Sequence, residues 1–339
     1  MKSLRFILAV AVFAFLGAAG ANPPTKPANL VTGGKAYNLP EWFKPSFLDF
    51  PDDVKEARQK GKGVLIFFHL DACPYCARVL EENFVKGENK DFIQKNFDVV
   101  AVNVRGDKDV TWIDRATYTE KSLTKKLRIY GTPGMVLIDV DGTLALQING
   151  YRDPNAMRLA LRYVQEKHYR TKTLIEYTND TNKAAVYTLR SHPSFVTLTN
   201  FKGFKKPLAV IFENKGCADC PAFHDKLLNH PESKPELAKF TVVRLDTDAA
   251  TPITDINGNV TTANRWANAL GLSYRPGVIL FDDGKEAARM DNRFYHYHFK
   301  ELLRYVSGGY YKRFDGFFAY TAMRRDEMAK EGKVIDYSE

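Results

Sequence analysis

Two CxxC pairs, Cys73/Cys76 and Cys217/Cys220, stand about 140 residues apart and contain every cysteine in the chain. Aligning them exposes an internal repeat. Val64–His69 (VLIFFH) and Leu208–Glu213 (LAVIFE) are short apolar runs that end just before each pair and read as buried strands feeding a turn. A helix is expected after each pair, over 76–84 and 221–230, and then a second strand, VVAVNV from Val99 and FTVVRL from Phe240. Further helices are expected over 120–130 and 263–270. Thr117 and Glu120 would form a capping box for the first, and Thr262 an N-cap for the second. Gly131-Thr132-Pro133-Gly134 and Tyr274-Arg275-Pro276-Gly277 close these helices. Each copy then predicts a hairpin turning at Asp141-Gly142 or Asp282-Asp283-Gly284. A closing helix follows, in the first copy with Asp153 as N-cap and Pro154 in its first turn. The proline lies 60 residues after Cys73 and 59 after Cys217, so the repeat keeps its register throughout.

The N-terminus follows a different grammar. Lys2 and Arg5 precede an apolar run from Phe6 to Leu16, and Ala19-Gly20-Ala21 fits an A-x-A cleavage site. This predicts a signal peptide over 1–21, and therefore a periplasmic or otherwise exported protein, soluble after cleavage. The run is short for a bilayer span, and no cysteine follows it to carry a lipid. The remaining chain, about 318 residues, is long enough for two ordinary domains. Domain one is placed at 37–168, a connector at 169–190, domain two at 191–307 and a C-terminal extension at 308–339. Loss of Lys2 and Arg5 lowers the formal charge of +9 by two. The remaining basic residues are dispersed, without a phosphate-binding glycine loop, which favours a solvated basic surface over a nucleic-acid partner.

An exported protein of this size often carries scattered structural disulfides. Pairing all four cysteines as CxxC favours redox chemistry instead. Disulfide exchange needs a thiolate, and a helix N-terminus favours one through unpaired backbone N–H groups and the positive end of its dipole. The two-residue spacing lets the second thiol attack a mixed disulfide formed on the first. Structural zinc is the competing chemistry. Against it, each pair belongs to its own complete unit and lacks neighbouring histidine ligands or knuckle turns. Ala77 and Pro221 stand where c-type haem attachment requires histidine. Neither a metal nor a cofactor is therefore expected.

Strand, CxxC at a helix start and a proline about sixty residues on, just before a hairpin, resemble the thioredoxin superfamily in two tandem copies. The resemblance implies an α/β fold: two thioredoxin-like domains, each a central mixed sheet flanked by helices, with a C-terminal extension. It also implies that Cys73 and Cys217 are nucleophiles and that Cys76 and Cys220 are resolving thiols. Pro133 and Pro276 resemble the family's cis-proline, so they, with Thr132 and Arg275 before them and Pro74 and Tyr75 between the first cysteines, are expected to border substrate. Arg275 would place a cation near Cys217, whereas Asp219 would place a carboxylate there that disfavours the thiolate. The family's usual buried acid is replaced by Phe67 and Ile211. His69 and Glu213, four residues before each first cysteine, are the candidate proton acceptors. HLDACPYC, the Tyr-Gly-Thr-Pro helix end and Asn149-Gly150-Tyr151 are similar to SoxW-like exported thioredoxins. Gly131-Thr132-Pro133 is also similar to DsbC-type isomerases.

The function expected from this resemblance is reduction of protein disulfides, or electron shuttling through both CxxC sites from a membrane thiol donor. The alternatives are a disulfide oxidase or isomerase, and a thioredoxin-fold scaffold in which one CxxC is idle. The aromatic and basic tail after Gly308 is expected to pack back on its own domain. Oligomeric state is not encoded in any of these features.

Overall fold

A computed structural model describes residues 31–181 and 186–337; the expected signal peptide lies outside the described residues. Each copy of the repeat forms a four-stranded mixed sheet, and the two sheets have the same order. In domain one, Gly63–His69 is a central strand, parallel to Phe97–Asn103 and antiparallel to Gly134–Ile138, which pairs in turn with Leu144–Asn149. In domain two, Leu208–Glu213 pairs in the same senses with Thr241–Asp246 and Gly277–Asp282, and Lys285–Met290 completes the sheet.

The central strands are apolar without alternation because both of their faces are covered. Leu65 and Phe67 pack with the cysteines on one face, while Ile66 and Phe68 pack in a second cluster on the other. Full burial of each such side chain contributes about 1.5–3 kcal/mol. His69 and Glu213 follow the period-two alternation onto the cysteine face.

Register then positions the site. Phe68 pairs with Gly134 and Phe212 with Gly277, so the proline segment before each glycine lies beside the end of the strand that feeds the CxxC. Both glycines are required by close approach. An added Cβ at Gly134 would lie 2.6 Å from Ile129, and one at Gly277 would lie 2.9 Å from Leu272.

One expected cap is corrected. Thr117–Thr119 is a short strand paired with Asp109–Thr111, so the helix Glu120–Lys126 is capped by Thr119 with Ser122. Glu120 does not complete a box with Thr117; its carboxylate accepts from Asn103 N at 2.9 Å. The connector segment contains a helix, Leu174–Thr181.

In the C-terminal extension, helix Phe317–Lys330 buries Tyr320 completely among domain-two core residues. Tyr320 donates to Glu301 at 2.6 Å. Beyond the helix, Ile335–Asp336 pairs in parallel with Val31–Thr32, tying the extension to the segment that precedes domain one.

The two domains meet through a polar bolt. Buried Arg152 donates to Asn149 O and Tyr151 O within domain one, each at 3.1 Å, and to Ser273 Oγ and Asp291 O across the interface, each at 3.4 Å. Asp291 accepts in turn from Ser273 N at 2.9 Å and Tyr274 N at 2.9 Å. Gly150 has φ +77°, and a Cβ there would lie 2.0 Å from the Asn292 side chain, so the interface itself demands glycine in Asn149-Gly150-Tyr151.

Candidate active site

Cys73 and Cys76 form a disulfide with Cα atoms 5.2 Å apart, and Cys217 and Cys220 form another at 5.4 Å. In domain one Pro74 occupies the first position of helix Pro74–Val79, and Cys73 is its N-cap. Proline suits that position because its fixed φ is helical and its missing N–H would have been unpaired anyway. Cys76 N donates to Cys73 Sγ at 3.1 Å. The helix continues as a π-helical turn, Leu80–Val85.

Domain two departs from the expectation that Cys217 sits at a helix start. Its helix runs only from Cys220 to Phe223 before a π-helical turn, His224–Leu228, and Asp219 is the N-cap. Cys217 therefore precedes the cap. The reason is local: the proline follows Cys220 instead of Cys217, and the helix starts two residues later. Among the described residues, no backbone N–H is directed at Cys217 Sγ.

Both expected proline bonds, Thr132-Pro133 and Arg275-Pro276, are cis. Cys73 Sγ lies 3.4 Å from Thr132 Oγ1 and 3.7 Å from its carbonyl oxygen. Arg275 and Cys217 line one interdomain cavity of about 370 Å³. Burial pulls the Arg275 guanidinium down to about 10, and among the described residues its Nε and Nη2 have no hydrogen-bond partner. Asp219 accepts a hydrogen bond from Tyr274 Oη and lies 3.8 Å from Arg293, so its carboxylate has a hydrogen-bond donor and a cation as partners. Burial, reinforced by the Asp219 carboxylate, holds the Tyr274 phenol well above its ordinary range.

The positions four residues before each first cysteine carry different chemistry in a common frame. Glu213 is fully buried. Its Oε1 lies 2.8 Å from His224 Nε2, and Oε2 accepts from Tyr187 Oη at 3.3 Å. Tyr187 packs in one cluster with Cys217 and Cys220. Its phenol is pushed up to about 12, mainly by burial and then by the Glu213 charge. In domain one, Tyr37 Oη donates to Leu70 O at 2.8 Å and lies 3.0 Å from His69 Nδ1. Burial lowers the His69 pKa. Tyr37 packs against the cluster that holds Cys73 and Cys76.

These tyrosines were missed in the sequence. The signal was present, since Tyr37-Asn38-Leu39 and Tyr187-Thr188-Leu189 repeat a Tyr-x-Leu pattern ahead of each domain. It is too short to stand out without knowing that both tyrosines reach the same strand position. His224 was legible as the residue four after Cys220, one helical turn on. Arg293 gave no local signal.

Tyr75 is drawn into the interface. Its ring stacks on Tyr295 at 4.7 Å, and its Oη accepts from Tyr295 N at 3.1 Å. Cys73, Pro74 and Thr132 line a neighbouring cavity of about 380 Å³, and Tyr151 and Arg293 line both this cavity and that of Cys217. Pro276 borders a third cavity, beside Asp219 and Tyr274. Among the described residues, no group of three or more metal-ligating side chains could hold an ion.

Two sheets of identical order, each presenting a CxxC disulfide beside a cis-proline, define a duplicated dithiol–disulfide fold of the thioredoxin class. The chain belongs to the thioredoxin-like domain family, which matches residues 50–165 and 195–307. Solved structures of similar fold include a thioredoxin-fold protein from Helicobacter pylori, 16% identical, covering 40% of this chain and 91% of that one at TM-score 0.35. A thioredoxin from Thermus thermophilus is 22% identical, covering 35% of this chain and 85% of that one at TM-score 0.28. The DsbD C-terminal domain of Neisseria meningitidis is 16% identical, with coverages of 34% and 87% and TM-score 0.24. No curated protein matches the chain. Among the described residues, no helix is long and apolar enough to cross a membrane.

Proposed function

We propose that this protein is a periplasmic thiol–disulfide oxidoreductase that reduces protein disulfides, or shuttles electrons, through its two CxxC sites. The observation that carries this reading is that both disulfides line neighbouring interdomain cavities with two wall residues in common, Tyr151 and Arg293. Cys73 and Cys217 act as nucleophiles, and Cys76 and Cys220 resolve the mixed disulfide. Exposure supports this order: Cys73 is 6% and Cys217 2% exposed, while both partners are at 0%. Pro74, Tyr75, Thr132 and Pro133 border substrate at the first site, and Arg275 and Pro276 at the second. His69 and Glu213 accept protons, each held in place by its tyrosine. A membrane thiol donor supplies electrons to one domain, and they leave through the other.

The test is the reduction potential of each pair, measured by thiol-buffered titration in the Cys73→Ser/Cys76→Ser and Cys217→Ser/Cys220→Ser variants. Values near about −270 mV support a reductase, and unequal values give the relay its direction. Values near about −120 mV would make the protein an oxidant and end the reductase reading. A second reading, a scaffold with an idle domain two, is favoured by the near-complete burial of Cys217. Retention of wild-type turnover when only the Cys217 pair is removed would support it.

A further inference from the structure

The cavity at Cys73 is built from three parts of the chain. Domain one supplies the CxxC loop, Thr132 and Arg105; domain two supplies Arg293 and His298; the C-terminal extension supplies Phe317, Phe318, Arg325 and Tyr337. The wall formed by the extension is anchored at both ends. Tyr320 is fully buried and bonded to Glu301, and Ile335–Asp336 is paired with Val31–Thr32. Just beyond the second anchor, Tyr337 stacks on His298 at 5.3 Å. The wall narrows the approach to Cys73, which is 6% exposed. At about 380 Å³ the cavity is within the usual range for a small organic ligand.

Its charge is one-sided. The charged side chains lining it are Arg105, Arg293, Arg325 and a single carboxylate, Asp71. Two of the guanidiniums also have a carboxylate outside the cavity as a partner: Asp219 lies 3.8 Å from Arg293, and Asp326 lies 3.5 Å from Arg325. Among the described residues Arg105 has no ion-pair partner, and its closeness to Arg325 lowers its pKa further after burial. His298, also on the wall, is pulled down to about 4 by burial and is neutral at pH 7. A low-dielectric cleft with an excess of one sign concentrates ligands of the other.

We propose that Cys73 exchanges with a low-molecular-weight disulfide carrying carboxylates, held by Arg105, Arg325 and Arg293. This rests on the thiol–disulfide reading but not on its direction, nor on proteins being the substrate of this domain. In the reducing direction the Cys73 thiolate attacks one sulfur of the small disulfide. Its S–S bond breaks, one small thiolate leaves, and a mixed disulfide with Cys73 remains. The Cys76 thiolate then attacks Cys73 Sγ and expels the second small thiolate. The protein pair loses two electrons and the small disulfide gains them; the protons of the two cysteine thiols pass to solvent or to the leaving thiolates.

The experiment uses the full chain with Cys217→Ser/Cys220→Ser, so that only the Cys73 pair reacts. Its oxidation is followed with dithiodiglycolate, hydroxyethyl disulfide and cystamine, which carry negative, no and positive charge. Each rate is divided by that of the same disulfide with a neutral monothiol. The expected result is a preference for dithiodiglycolate over cystamine of about tenfold or more at low salt. That preference should fall with added salt and vanish in Arg105→Ala/Arg325→Ala, while Arg105→Lys/Arg325→Lys retains it. A flat or inverted charge series overturns the proposal, as does a preference that survives the alanine pair. Failure of all three disulfides to oxidise the pair, with folding intact, would overturn the redox reading itself. The charge series tests the ligand alone.

Discussion

In domain one the CxxC proline follows Cys73; in domain two it follows Cys220. The first proline makes Cys73 the cap of its helix, with Cys76 N on its sulfur at 3.1 Å. The second lets the helix begin only at Cys220, leaving Cys217 outside the cap. The deeper layer is also unequal. Glu213 is a buried carboxylate between His224 and Tyr187, whereas His69 has Tyr37 as its polar partner. One fold therefore gives its two sulfurs different surroundings. Cys73 has a backbone N–H of a helix end, while Cys217 shares a cavity wall with Arg275. The lesson is that duplication preserves the frame, and the electrostatics at each copy are set by the few residues between strand and helix.

The largest effect that could break this comparison is expected at Glu213. Glu213→Ala leaves His224 and Tyr187 buried without their acceptor, at a cost of about 3 kcal/mol, read as a lower denaturant midpoint. Glu213→Gln keeps the shape, and in the Cys73→Ser/Cys76→Ser background it should slow exchange at Cys217/Cys220 by about a hundredfold near neutral pH. A stable Gln variant with unchanged rate and pH profile would remove Glu213 from the chemistry and leave it a packing role.

An intermediate effect concerns the side of domain two that roofs Cys73. His298 is pulled down to about 4, and the His69 pKa is lowered as well, both chiefly by burial. Their unfolded forms titrate near about 6.5 and so bind more protons than the folded protein below that pH. Stability should be highest above about pH 6.5 and fall as pH drops toward 4. His298→Gln should flatten part of that slope in chemical denaturation measured across the window. An unchanged slope would mean that the buried ring does not control the interface.

The smallest effect sharpens the helix argument. Ala218→Pro/Pro221→Ala moves the proline from after Cys220 to after Cys217, as Pro74 stands after Cys73, and should draw the helix start back to the cysteine. The expected gain in thiolate stability lowers the Cys217 pKa by roughly half a unit, followed by thiolate ultraviolet absorbance. No change, with the fold intact, would show that Asp219 and its Tyr274 bond, not proline position, hold the loop.

The amino-acid sequence by itself determined the duplication, the strand positions and both cis-proline segments. These are local: apolar runs, turn residues and a conserved spacing express themselves within a few residues of the chain. It also determined that Asp153 would cap a helix, which it does by accepting from Asn155 N at 2.9 Å. It misplaced the cap at Thr117 because strand pairing with Asp109–Thr111 outweighed a capping pattern. Only the tertiary structure decided that Tyr37 and Tyr187 stand behind the cysteine loops, that Tyr75 lies on Tyr295, and that the C-terminal extension walls the Cys73 cavity. Each of these contacts joins residues far apart in sequence. Their partners are selected by which faces remain unburied once the two sheets have formed, and no short window of residues carries that information.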